Sequence, residues 1–175
     1  MTTLAATTVI VASAAATHDL GYRLGAGATA GQIIALRGDL GAGKTTLTQG
    51  IAAGLGITAR VTSPTFTLVN EYARGSRGLR LIHIDIYRLG DTPETARREA
   101  ATFGLEEILA AAAWPDGDSD GSVVVIEWAE KIAPLLPADY LDVHLVAPPT
   151  APDDRLISLT AFGPQSAALR DTLSG

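Results

Sequence analysis

The stretch Gly38-Asp39-Leu40-Gly41-Ala42-Gly43-Lys44-Thr45 matches the pattern G-x-x-x-x-G-K-[ST] in full. Glycines at this spacing let successive backbone N–H groups turn inward around phosphate oxygens. The N-terminus of the helix that follows such a loop adds its dipole. A lysine in the place of Lys44 reaches the β- and γ-phosphates, and a hydroxyl in the place of Thr45 binds Mg²⁺. By chance the pattern arises on the order of once in a hundred chains of this length. Here it also has the context it needs. Gly31–Arg37 (GQIIALR) reads as a short buried strand, and Lys44–Leu55 carries Leu47, Ile51 and Leu55 at helical spacing before Gly56. Nucleotide binding is therefore expected, with Gly38, Gly41, Ala42, Gly43, Lys44, Thr45 and Thr46 as its candidate contacts. Thr46 is also simply a good residue for the first turn of a helix.

The rest of the chain reads as strands mixed with helices. Thr7–Ala12, Thr65–Ala73, Leu79–Tyr87, Ser122–Trp128, Tyr140–Val146 and Arg155–Phe162 have strand patterns. The turn sequence RGSRG joins the second and third of these as an antiparallel hairpin. Ala14–Leu24 reads as a helix. Thr92–Ala113 reads as another, capped by Thr92, with Pro93 in its first position and Gly104 splitting it. The tail from Gly163 reads as a weak helix or a frayed end. The fold class expected is α/β: a single P-loop NTPase-like domain over residues 1–163, with a mixed parallel/antiparallel sheet flanked by helices, and a tail over 164–175.

Composition matters at three points. Cys is absent, which removes thiolate chemistry, and the three His are scattered, which argues against a His-built zinc site. No stretch approaches the roughly 18 apolar residues of a membrane span. The apolar start has no Lys or Arg before it and reads as a strand, not a leader, so a cytoplasmic protein is expected. The formal net charge is −6 with only two lysines, the opposite of a domain that grips nucleic acid unaided.

A phosphate loop needs a carboxylate near its Mg²⁺, and Glu127 ends the apolar run Val123–Ile126, where a side chain emerges at a strand's carboxyl end. In His83-Ile84-Asp85-Ile86-Tyr87 the polar residues share one face of a strand. That face is either a solvated side of the hairpin or the means of placing Asp85 beside the phosphates. Ser63-Pro64-Thr65-Phe66 follows the loop's helix, where many such proteins place a segment that senses the γ-phosphate. Its composition alone says only turn.

Four segments in series resemble the TsaE family, the ATPase of bacterial tRNA threonylcarbamoyladenosine synthesis: GDLGAGKTT (38–46), SPTFTLVNEY (63–72), HIDIYRL (83–89) and IEWAEK (126–131). The resemblance covers about residues 31–132. It implies a small P-loop domain that binds ATP and Mg²⁺ and hydrolyses ATP slowly alone. It implies action with TsaD and TsaB, sustaining threonylcarbamoyl transfer to an adenosine beside the anticodon, with tRNA met only through the complex. It carries over Lys44 as the phosphate lysine, Thr45 and Glu127 as Mg²⁺-linked residues, and Asp85 as an essential acid. It also makes Ser63, Thr65 and Phe66 a switch-like segment and matches Trp128 to a family tryptophan. The acidic run Asp116–Asp120 reads as a local insertion. The alternative is a small nucleotide or metabolite kinase, which usually needs an Arg-rich lid; Arg97 and Arg98 form no such pattern. A regulatory GTPase is disfavoured because no N-K-x-D occurs. The base is expected near Ser13–Asp19.

Overall fold

The computed structural model describes residues 6–90, 92–113 and 121–174. The acidic run 116–120 lies outside them. In chain order the strands are β1 (Thr7–Val11), β2 (Ile33–Arg37), β3 (Val69–Tyr72), β4 (Arg80–Asp85), β5 (Ser122–Glu127), β6 (Leu141–Val146) and β7 (Arg155–Ala161). The helices are α1 (Ala14–Gly27), α2 (Lys44–Gly54), α3 (Pro93–Thr102), α4 (Leu105–Ala113) and α5 (Pro164–Asp171), with a 3₁₀ segment at Ala129–Leu135.

The strands form one mixed sheet in the order β1-β7-β6-β2-β5-β4-β3. β4, β5, β2 and β6 run parallel, while β3, β7 and β1 attach antiparallel. The expected α/β class and mixed sheet are thus present. β2 and β5 lie inside the sheet with both faces covered, which is why IIAL and VVVI read as unbroken apolar runs. Ile34, Leu36, Val123, Val125 and Val143 pack under α1 and α2. Ile33, Ala35, Ile84, Val124 and Ile126 pack on the other face under α3, α4 and the 3₁₀ segment. Arg37, the last residue of β2, donates from Nε to Asp142 of β6 at 2.6 Å, pinning these two strands together.

Several expected boundaries shift. The strand expected from Thr65 begins only at Val69, because Thr67 and Leu68 donate their N–H groups to Pro64 O at 3.0 and 2.7 Å and wind 65–68 into a turn. The strand expected to Tyr87 ends at Asp85, whose carboxylate accepts the Tyr87 N–H. Gly104, at φ 74°, divides α3 from α4 as expected. After Gly163 the chain forms a helix, not a frayed end, with Leu169 buried in the main core.

The tightest junction is α1 on α2, where two pairs of glycines four apart, Gly21/Gly25 and Gly50/Gly54, face each other. A Cβ on Gly21 would fall 2.2 Å from Leu47 O, and one on Gly50 would fall 2.0 Å from His18 O. The backbones of α1 and of the helix that follows the phosphate loop therefore touch directly. Forcing a methyl group into such a contact costs about 1–3 kcal/mol. Gly50→Ala should lower the melting temperature by roughly 5 °C for a domain of this size; thermal denaturation checks this, and an unchanged midpoint would refute backbone-to-backbone packing.

Candidate functional site

The parallel register sets the site. Asp85 lies opposite Glu127, and Glu127 opposite Leu36, so the carboxyl ends of β4, β5 and β2 reach the same edge. The loop 38–43 leaves β2 at that edge, next to the point where β6 departs on the other side. Such a crevice at a strand-order switch is where open α/β sheets hold ligands.

The loop has the backbone its glycines permit. Gly38, Gly41 and Gly43 have φ of 140°, 79° and 104°, and Gly43 caps α2. Lys44 is buried, with Nζ donating to Gly38 O and, at 3.0 Å, to Asp39 O. Its ammonium also sits 3.7 Å from the centroid of the Trp128 ring. Burial pulls the Lys44 ammonium below the usual lysine range, and the carboxylates of Glu127, Glu130, Asp85 and Asp39 oppose this. Trp128 holds a left-handed backbone, φ 63°, directly after β5. That conformation costs about 1–2 kcal/mol in a residue with a side chain, and it turns the indole towards Lys44 and Tyr87, 5.0 Å away.

Two carboxylates occupy the site in different settings. Glu127, 3% exposed, accepts the Thr45 hydroxyl at 3.0 and 3.1 Å on its two oxygens and the His83 Nε2 hydrogen at 2.8 Å on Oε1. It is therefore no exposed strand end. Asp85, 2% exposed, accepts the Ser63 and Thr65 hydroxyls on Oδ2, at 2.5 and 2.8 Å, and the Tyr87 N–H on Oδ1. The solvated alternative for this face is thus overturned: His83 is buried against Glu127, Asp85 is buried against Ser63 and Thr65, and Tyr87 lies beyond the strand. The Lys131 ammonium holds the chain after β4 by donating to Tyr87 O and Leu89 O at 2.6 and 2.7 Å.

A cavity of about 370 Å³ joins these groups. Gly41, Gly43, Lys44, Thr45, Thr46, Ser63, Thr65, Asp85 and Glu127 line it, together with Leu40, Tyr87 and Trp128. Three sequence candidates stand elsewhere. Gly38 acts through its carbonyl on Lys44, and Ala42 is buried behind the loop. Phe66 is 82% exposed beside the mouth, with the Arg88 guanidinium 4.2 Å over its ring. A smaller cavity of about 200 Å³ adjoins the loop, lined by Ser13, Thr17, Gly41, Gly43, Thr46 and Arg155. For a metal, the hydroxyl of Thr45 and the carboxylate of Glu127 are hard oxygen donors at one point of the large cavity. Among the described residues no group of three or more His, Cys, Asp or Glu is placed to hold an ion. That donor set suits Mg²⁺, which takes one or two protein oxygens and completes its shell with phosphate and water.

Sequence reading missed His83 and Arg155. His83 was visible as a polar residue on the Asp85 face, but not its partner. Arg155 carried no local signal. From the start of β7 its guanidinium donates to Ala42 O at 2.8 Å and Gly41 O at 3.2 Å. A trans peptide points the next N–H away from the carbonyl, so fixing Ala42 O turns the Gly43 N–H away from Arg155.

Strand order, loop and cavity together define a P-loop nucleotide-binding domain. The profile of the family described as "Threonylcarbamoyl adenosine biosynthesis protein TsaE" matches residues 11–155. This chain belongs to the TsaE family. It is 42% identical over 139 residues to a tRNA threonylcarbamoyladenosine biosynthesis protein TsaE of Nostoc sp., covering 79% of this chain and 77% of that one. It is 36% identical over 152 residues to the protein of that name from Streptomyces coelicolor, covering 83% and 90%. The crystal structure of Bacillus subtilis YdiB superposes with a TM-score of 0.75 at 32% identity, over 99% of this chain and 97% of the other.

If Arg155 orients the loop, Arg155→Ala should weaken binding of ADP about tenfold, close to one charged hydrogen bond. Isothermal titration calorimetry reads this, and wild-type affinity would show that the loop needs no such support.

Proposed function

We propose that this chain is an Mg²⁺-dependent ATPase, weak alone, that supports tRNA threonylcarbamoyladenosine modification with TsaD and TsaB. The pathway rests on family membership and on the names of the relatives. The ATPase reading rests chiefly on one observation: Lys44, Thr45, Asp85 and Glu127 converge on one cavity beside a phosphate loop.

In this reading Lys44 neutralises the β- and γ-phosphates, while Gly41, Ala42, Gly43 and Thr46 cradle the chain of phosphates from the loop and helix start. Thr45 and Glu127 hold Mg²⁺, which when bound offsets phosphate charge and orients the terminal group. Asp85 is the group for the attacking water, because its carboxylate is already oriented by Ser63, Thr65 and the Tyr87 N–H. The smaller cavity at Ser13 and Thr17 takes the base. The ATPase domain spans 1–163, and the segment 164–175 is its C-terminal extension, whose helix α5 packs on the domain through Leu169. No helix among the described residues is long and apolar enough to cross a membrane; we assign the protein to the cytoplasm, with tRNA reached only through the complex. The kinase alternative gains nothing from α3, where Arg97 faces Glu106 at the surface.

Lys44→Ala should abolish ATP binding or turnover. Glu127→Ala should lower Mg²⁺-dependent turnover by 100-fold or more, on the scale of one lost transition-state donor. Both are checked by phosphate release on protein with intact circular dichroism, and unchanged turnover in the folded Lys44→Ala protein would refute the reading.

Ser63, Thr65 and Phe66 link the two ends of this function. Thr65 touches Asp85 inside the cavity, while its neighbour Phe66 faces outward. A γ-phosphate that rearranges the Asp85 hydroxyl contacts thereby changes the surface offered to a partner. Phe66→Ala should lower ATPase stimulated by TsaB and TsaD several-fold while basal ATPase stays near wild type. Equal loss of both rates, measured side by side, would assign the segment to nucleotide binding instead.

A further inference from the structure

His83 lies in the middle of β4, wholly buried, on the sheet face that carries Asp85. Among the described residues its one polar contact is Nε2 to Glu127 Oε1 at 2.8 Å, and none of them partners its Nδ1. The carboxylate has no hydrogen to give, so Nε2 donates. A buried ring nitrogen without a partner is costly, and β5 meets the same layer with Val125, an aliphatic side chain. Packing alone would favour an aliphatic residue at position 83 as well.

Among the described residues Glu127 has two side-chain donors, and they differ in kind. The Thr45 hydroxyl is nearly equidistant from both carboxylate oxygens, at 3.0 and 3.1 Å, so it does not select one of them. His83 reaches Oε1 alone. It therefore fixes the rotation of the carboxylate and leaves Oε2 without a contact to His83, while both oxygens stay within reach of the Thr45 hydroxyl. His83 is also the donor outside the proposed metal set, and it still grips Glu127 when the Thr45 oxygen is engaged.

We propose that His83 is the positioning residue of the metal site: its Nε2–H, bonded to Glu127 Oε1, orients the carboxylate for a divalent cation held jointly with Thr45. The inference rests on the Mg²⁺ assignment above. Partners that stand behind a metal ligand typically control affinity for the ion by 10–100-fold.

The test measures the affinity of a fluorescent ADP analogue in EDTA and at stepped Mg²⁺ concentrations, without turnover. His83→Leu should raise the Mg²⁺ concentration at half-effect about tenfold and leave the affinity in EDTA within twofold of wild type. His83→Gln places an amide nitrogen near the position of Nε2 and should return the Mg²⁺ half-effect to within threefold. His83→Asn, polar but too short to reach Glu127, should behave like the leucine variant and stands in for it if that variant does not fold. A wild-type Mg²⁺ half-effect in the folded leucine or asparagine protein would overturn the proposal. So would an affinity loss of equal size in EDTA and in Mg²⁺, which marks a purely structural residue. A wild-type protein whose ADP affinity ignores Mg²⁺ would instead refute the metal assignment of Thr45 and Glu127, and His83 would lose its role with it.

Discussion

The buried carboxylate of Glu127 is the point on which the site is built. A charge in that position is costly unless donors meet it, and its donors come from two other elements: Thr45 from the first turn of α2, and His83 from the interior of β4. One side chain thus binds the helix after the phosphate loop, the central strand β5 and its neighbour β4 into a single unit. The parallel register that sets Glu127 beside Asp85 and Leu36 makes those contacts possible. The direct backbone contact of α1 with α2 extends the unit to Ser13 and Thr17, which line the cavity next to the loop.

The two acids differ by environment and not by chemistry. Glu127 meets a threonine hydroxyl and an imidazole, in a setting suited to an ion. Asp85 meets two hydroxyls, Ser63 and Thr65, from the segment that leads into β3. Those hydroxyls explain why 65–68 is a turn although TFTLV alternates like a strand. Ser63 and Thr65 reach Asp85, while the next N–H groups close onto Pro64 O, so pairing starts only at Val69. Trp128, paired with Tyr87, then roofs Lys44, and the left-handed Trp128 is the local strain that this arrangement carries.

Much of this was legible before any coordinate. The phosphate loop, its strand and helix, the central strand ending at Glu127, the hairpin around RGSRG (though not its outer ends, expected at 65 and 87 and found at 69 and 85), the break at Gly104 and the mixed α/β class all have short-range causes: glycine spacing, apolar runs, caps and turn residues. The Asp85 face was legible as unusual but not as buried, because period-two alternation marks which residues share a face and not what covers it. The tail's helix was missed in part because its stability comes from Leu169 in the core and not from its own sequence.

The sequence by itself determined which backbone conformations the loop could adopt, since the positive φ at Gly38, Gly41 and Gly43 is open to glycine and strained for other residues, and it placed an acid at the end of an apolar strand. Only the tertiary structure decided which partners those groups have. His83 meets Glu127 from another strand, and Arg155 reaches the carbonyls of Gly41 and Ala42 from the far end of the chain. Hydrogen bonds of that kind act over about 3 Å and are set by strand order and register. Both of those depend on how the whole sheet buries its two faces, which no local stretch of sequence specifies.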